Sequence, residues 1–157
     1  MILFISSGQE STRKNNNQIN KRNFYLNYGL LSIATKLSNL GYKCIQVQGH
    51  FESPEDFFEK IKNKKYLDNN LPIFLSIPSF YAASWSKKII NLIKLEYKNK
   101  KIIVGGRWVV DGEISQFKNL IGNVDYIADG LGENHLNKII SDFLPVVPNI
   151  SKSKQKN

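Results

Sequence analysis

Ile102-Ile-Val-Gly-Gly places the tightest constraint on how this chain folds, because three β-branched residues in a row leave no polar face to turn toward water. Such a run reads as a buried parallel strand covered by helices on both sides. It stops on Gly105 and Gly106, at the carboxyl end of the strand, which is the edge where open α/β sheets place their ligands. Without Cβ atoms the backbone there can be approached closely by a flat or bulky group, although a tight strand-to-loop turn uses the same pair.

Four more apolar runs resemble it: Ile2 to Ile5, Cys44 to Val47, Pro72 to Ile77 and Val124 to Ala128. Helical patterns separate them. From Asn27 to Leu40 the residues Leu30, Ile33, Ala34 and Leu37 give an i, i+3, i+4, i+7 stripe closed by Gly41. Ser53-Pro54-Glu55 is a helix start, with Phe57, Phe58 and Ile61 as its apolar face. Ala82 to Tyr97 turns Trp85, Ile89, Leu92, Ile93 and Tyr97 to one side, Glu113 to Leu120 makes a short helix, and Asn134 to Phe143 a last one. Ser6 to Arg22 is polar, with no apolar period, and reads as a mobile loop after the first strand.

Strand and helix therefore alternate, with connections short enough to require right-handed crossovers. The pattern predicts an α/β fold with a five-stranded, parallel, doubly wound sheet of order 2-1-3-4-5 and a ligand crevice between the ends of strands one and three. That topology brings Ser6, Ser7, Ser76, Pro78 and Ser79 to one rim, together with Gly105, Gly106 and Gly130.

At 157 residues the chain is expected to form one domain over 1–144, followed by a basic, polar tail or linker over 145–157. Hydrophobic residues at 41% and aromatics at 11% exclude a disordered chain. A net charge of +9 permits nucleic-acid binding, but the lysines are spread along a chain rich in Asn and Ile, so no specific nucleic-acid partner is expected. Cys44 is the single cysteine, which excludes an internal disulfide. The opening Met-Ile-Leu-Phe-Ile is too short for a signal sequence or a membrane span, and a cytoplasmic location is expected.

Several ligand classes of this architecture are disfavoured. Ser76 stands where a phosphorelay receiver needs an aspartate, Ser6-Ser-Gly-Gln-Glu-Ser has too few glycines for a dinucleotide fingerprint, and no Walker loop is present. The same hydroxyl-rich segment, from Ser6 to Thr12 and including Gly8, loosely resembles the phosphate loop of flavodoxins. Tyr28-Gly-Leu-Leu-Ser-Ile-Ala, Ser76, Ile103-Val-Gly-Gly and Val124-Asp-Tyr-Ile-Ala-Asp-Gly-Leu-Gly-Glu carry, in order, a wider resemblance spanning Ile2 to about Phe143. They resemble the cobalamin (vitamin B12)-binding domain that precedes the catalytic barrel of many radical S-adenosylmethionine (radical SAM) enzymes, a flavodoxin-like, Rossmann-like unit.

The resemblance implies cobalamin as the cofactor, with its nucleotide tail between sheet and helices, a Ser76 hydroxyl near the buried base, and Gly105 and Gly106 lining the slot. It extends the implied cofactor-binding set to Arg107, Trp108, Gly132 and Glu133. Pro78 replaces the family's Leu after the serine, and Leu131 stands where the family has Glu. The histidine motif after the first strand is missing, so the cofactor is expected base-off without histidine ligation. His50 is expected on the outer side of the crevice and His135 behind strand five. No Cys-x3-Cys-x2-Cys occurs, so no iron–sulfur cluster is expected in this chain, and a radical SAM catalytic domain, methyltransferase-like, is expected in cis or in trans. No catalytic residue and no protein metal ligand are assigned. Two other readings stay open: a flavodoxin-like FMN protein, and a degenerate, non-catalytic interaction module.

Overall fold

The computed structural model describes residues 1–9, 27–109 and 114–147. Five strands, β1 (Ile2–Ser6), β2 (Cys44–Gln48), β3 (Ile73–Ser76), β4 (Ile102–Gly105) and β5 (Tyr126–Ile127), pair in parallel in the order β2-β1-β3-β4-β5. The helices are α1 (Tyr28–Asn39), α2 (Pro54–Asn63), α3 (Ala83–Glu96), α4 (Ile114–Ile121) and α5 (Gly132–Phe143), and a 3-10 turn over Phe80–Ala82 leads into α3. This is the flavodoxin-like α/β architecture that the sequence predicts.

Strand periodicity divides the core into two layers. Leu3, Ile5, Ile73, Leu75, Ile102 and Val104 face α2, α3 and α4, where Phe57, Ile61, Trp85, Ile89, Ile93 and Phe117 pack on them. Ile2, Phe4, Phe74 and Ile103 face α1 and α5 and meet Leu30, Ala34, Leu37, Leu136 and Ile139. The Phe4 and Phe74 rings stack at 4.6 Å across the β1–β3 pair. Trp85 is fully buried, donates to Glu52 O at 2.8 Å and sets its ring edge-on to Phe57.

Local chemistry fixes the helix starts. Ser53 Oγ accepts from Asp56 N at 3.0 Å and Pro54 opens α2, with Glu55 and Asp56 in the first turn. Asn27 caps α1 through Leu30 N, at 3.1 Å. Some boundaries differ from the sequence expectation. Only Tyr126 and Ile127 of the fifth run form a strand, and ahead of them the N–H of Ile102 is taken by the Asp125 carboxylate at 2.9 Å. The last helix begins at Gly132, two residues before Asn134. The chain stays against the domain past α5: Tyr42 donates to Pro145 O at 2.7 Å, and Val147 packs on the α1/α5 layer. Residues 10–26, the greater part of the expected loop, and 148–157, most of the expected tail, lie outside the described residues.

At the amino-terminal end of the sheet, Asp125 binds Lys94 at 2.6 Å and Lys101 at 3.0 Å. Burial pushes its carboxyl up, but the bonds from Lys94, Ile102 N and Lys101 outweigh that and hold it below the usual value. Nearby, the buried Lys100 ammonium donates to Leu67 O at 3.0 Å, Asn69 O at 2.6 Å and Asn69 Oδ1 at 3.2 Å. Burial lowers its pKa from 10.5 to about 8, against a weaker opposing pull from Asp68. Between those values the unfolded chain holds the proton that the folded chain has released, so stability at this site rises with pH across that window. The free-energy difference between the parent and Lys100→Met in urea unfolding is expected to shift in favour of the parent from pH 7 to pH 10. A flat difference would place the Lys100 titration elsewhere.

Candidate functional site

The parallel register sets Ser6 of β1 beside Ser76 of β3, and Ser76 beside Gly105 of β4. These three residues end their strands on the face that carries α1 and α5, two positions beyond Phe4, Phe74 and Ile103. Above them opens a crevice of about 1670 Å³. Phe74, Ile103, Leu30 and Ile139, all nearly fully buried, form its apolar wall between sheet and helices. Tyr28, Phe80, Tyr81 and Leu131 stand at the mouth, where they are 63 to 76% exposed.

One side chain links the polar part of the crevice. Asn27 Nδ2 donates to Ser76 Oγ at 2.8 Å and to Ser6 Oγ at 3.3 Å, while its Oδ1 caps α1. Ser7 lies on the other face of the sheet, its Oγ 2.8 Å from that of Ser86 on α3, which in turn donates to Ala82 O. Lys87 of α3 and Arg107 after β4 bring positive charge to the lining. On the far side, Glu133 at the start of α5 accepts from Ser32 of α1 at 2.9 Å, and that bond holds its carboxyl below the ordinary value.

The two glycines at the end of β4 serve different ends. A Cβ on Gly105 would lie 3.3 Å from Ala128 O, a tight contact on the crevice wall that a shift of a few tenths of an ångström would relieve. Gly106 has φ +122°, and a Cβ there would lie 2.5 Å from Ile77 O and 2.6 Å from Ile77 N. Backbone cannot retreat from such a contact, so Gly106 is required by the fold itself. Gly132 is less constrained: a Cβ would meet Ile33 Cδ1 at 2.7 Å where α5 crosses α1, the far end of a side chain that can move aside.

Of the residues singled out from sequence, Ser6, Ser7, Ser76, Pro78, Gly105, Gly106, Arg107, Gly130, Gly132 and Glu133 line the crevice. Gly8, Ser79 and Trp108 do not. Gly8 packs on Trp85, where a Cβ would lie 2.8 Å from the indole. Ser79 precedes the 3-10 turn with its Oγ buried and without a partner among the described residues. Trp108 sits edge-on to Phe80 at 5.6 Å and to Phe117 at 5.4 Å, bracing α4.

The histidines divide. His135 is behind β5 as expected, 2.7 Å from Tyr126 OH and 2.8 Å from Asp129 O. His50 is not on the outer side: it lines the crevice. A left-handed backbone at φ 48° turns the chain there, and His50 O accepts from Gln9 N at 2.7 Å, which ties this loop to the one after β1. Partial desolvation lowers the imidazole pKa, with Glu52 pulling it up more weakly. Among the described residues no group of three or more His, Cys, Asp or Glu side chains is arranged to hold a metal ion. Asn27 is one of the members of the site that sequence reasoning missed. Its helix-capping residue type just before the α1 stripe was the available signal, but its reach to Ser6 and Ser76 was not.

No known family pattern matches this chain, and no curated protein matches it in sequence. Its fold does match solved structures. One is a cobalamin-binding protein from Desulfitobacterium hafniense DCB-2, with a TM-score of 0.60 and 12% identity over 89% of this chain. Another is the monomethylamine corrinoid protein of Methanosarcina barkeri, with a TM-score of 0.52 and 15% identity over 87% of this chain. This chain spans 57% of the length of each.

Two substitutions separate slot from scaffold. Gly105→Ala is expected to stay within about 1 kcal/mol of the parent in urea unfolding, and Gly106→Ala to lose on the order of 3 kcal/mol. Equal losses would mean that the two glycines share one role.

Proposed function

We propose that this chain is a corrinoid-binding domain that takes cobalamin with its nucleotide tail inserted between the sheet and the α1/α5 layer. The observation that carries the reading is the Ser6–Ser76–Gly105 row, hydroxyls and a missing side chain side by side over an apolar wall. A heteroaromatic base needs such a place: flat apolar surface to leave water, and a polar group for its ring nitrogen, whose burial without a partner costs about 1–3 kcal/mol. Gly105, flush with the wall, leaves room for the base, and Lys87 and Arg107 supply charge opposite in sign to a phosphodiester. Tyr28, Phe80, Tyr81 and Leu131 offer apolar surface at the mouth for the macrocycle. The likeness of fold to two proteins described as cobalamin-binding or corrinoid supports the same reading.

When bound, the cofactor supplies a cobalt centre able to carry a methyl group. This chain's part is to bind and orient it and to keep water from the base. With one cysteine in its sequence it holds no iron–sulfur cluster of its own, so methyl transfer of the radical SAM type calls for a catalytic domain in cis or in trans. The flavin alternative has less support from the described residues. Of its segment from Ser6 to Thr12, Ser6 and Ser7 face opposite sides of the sheet, bonded to Asn27 and near Ser86, and residues 10–12 lie outside the described residues.

Titration of the chain with hydroxocobalamin and, separately, with FMN is expected to show a visible-spectrum change and a calorimetric signal for the corrinoid alone. FMN binding without a corrinoid response would move the assignment to a flavin protein, and no response to either would favour the interaction module.

The bound cofactor is further proposed to be base-off with no protein nitrogen on cobalt, because the segment from Ser6 to Asn27 contains no histidine. Electron paramagnetic resonance of the cob(II)alamin form is expected to lack nitrogen triplets. Triplets that vanish in His50→Ala would assign the ligand to His50; triplets that survive it would mean the cofactor's own base stays on the metal.

A further inference from the structure

We propose that Asn27 is a positioning residue that turns the Ser76 and Ser6 hydroxyls into hydrogen-bond donors aimed at the crevice, so that the slot selects a base presenting an unprotonated ring nitrogen. The inference rests on the corrinoid reading and assigns how this chain recognises the nucleotide part.

The geometry begins at the helix cap. Leu30 N–H is a donor only, so the atom of the Asn27 side chain 3.1 Å away must be its carbonyl oxygen. That choice forces the amide nitrogen to the other side, where it meets Ser76 Oγ at 2.8 Å and Ser6 Oγ at 3.3 Å. Both protons of the NH2 group are thereby spent, one on each serine. A hydroxyl that accepts one bond still carries its own proton, and among the described residues neither Ser6 nor Ser76 has an acceptor for it. Both serines are at most 9% exposed and line the crevice, so a group seated beside Gly105 is the natural acceptor. The cap of α1, set by local backbone chemistry, thus decides the polarity of two hydroxyls on different strands. A carboxylate at the same place would do the reverse: it would cap Leu30 equally well, but would take both serine protons itself.

Asn27→Asp separates the two roles, since Asp keeps the cap and favours the helix amino-terminus while removing the donor. The full chain and this variant are titrated with hydroxocobalamin and with cobinamide, which has the same corrin but no nucleotide base. The expected result is an approximately tenfold loss of cobalamin affinity in Asn27→Asp, the worth of a hydrogen bond to a buried acceptor, with cobinamide affinity and thermal stability unchanged. In a Ser6→Ala/Ser76→Ala background the same substitution is expected to cause no additional loss. Parental cobalamin affinity in Asn27→Asp would overturn the proposal, as would equal losses for both ligands, or a loss that persists without the serines and so reports only the new charge. Failure of the parent to bind either corrinoid would overturn the corrinoid reading itself, and this inference with it.

Discussion

The parallel pairing of β1 with β3, and of β3 with β4, is the constraint on which the rest of this molecule depends. It brings Ser6, Ser76 and Gly105 level at the carboxyl edge although they come from distant parts of the chain. A slip of one residue that brings the preceding position of a strand into the row would set Ile5, Leu75 or Val104 where Ser6, Ser76 or Gly105 stands. The register is itself held by burial. Leu3, Ile5, Ile73, Leu75, Ile102 and Val104 fill one layer, and Ile2, Phe4, Phe74 and Ile103 the other, so a shifted strand would expose or misplace its whole apolar set.

The crevice exists because α1 and α5 are tied to each other as well as to the sheet. Gly132 lets α5 approach Ile33, and the Ser32–Glu133 bond fixes the crossing near the mouth. Asn27 then ties the start of α1 to two strand ends. On the opposite layer the end of β2 is closed off: Trp85 fills the space beneath Gly8 and Gly49, with its indole nitrogen bonded to Glu52 O. The asymmetry explains why two neighbouring serines have different surroundings. Ser6 faces the crevice wall, whereas Ser7 meets Ser86 against α3.

Much of this was legible in the chain. Unbroken β-branched runs announced buried parallel strands, the i, i+3, i+4, i+7 stripe announced α1, and Ser53-Pro54 announced α2, because each signal depends on chemistry within a few residues. Parallel pairing followed from short crossovers, and the strand order from a five-stranded, doubly wound unit of this size. The reach of the Asp125 carboxylate, just ahead of β5, to the Ile102 N–H was not legible, since its partner is distant in sequence. The two glycines at the end of β4 also read alike, and the positive φ of Gly106 with the approach of Ile77 backbone distinguishes it from Gly105.

The sequence by itself determined the class of fold and the strand ends at which a ligand would sit, because hydrophobic period and glycine placement are local and each strand's two faces must be covered. Tertiary structure decided which of those residues meet. It put His50 into the crevice lining, moved Gly8 and Trp108 into scaffold roles, and recruited Asn27, whose cap is local but whose amide nitrogen finds its partners on two different strands. The physical reason is direction: a residue's type fixes what its side chain can donate or accept, but only the packed sheet and helices fix what lies within 3 Å of it.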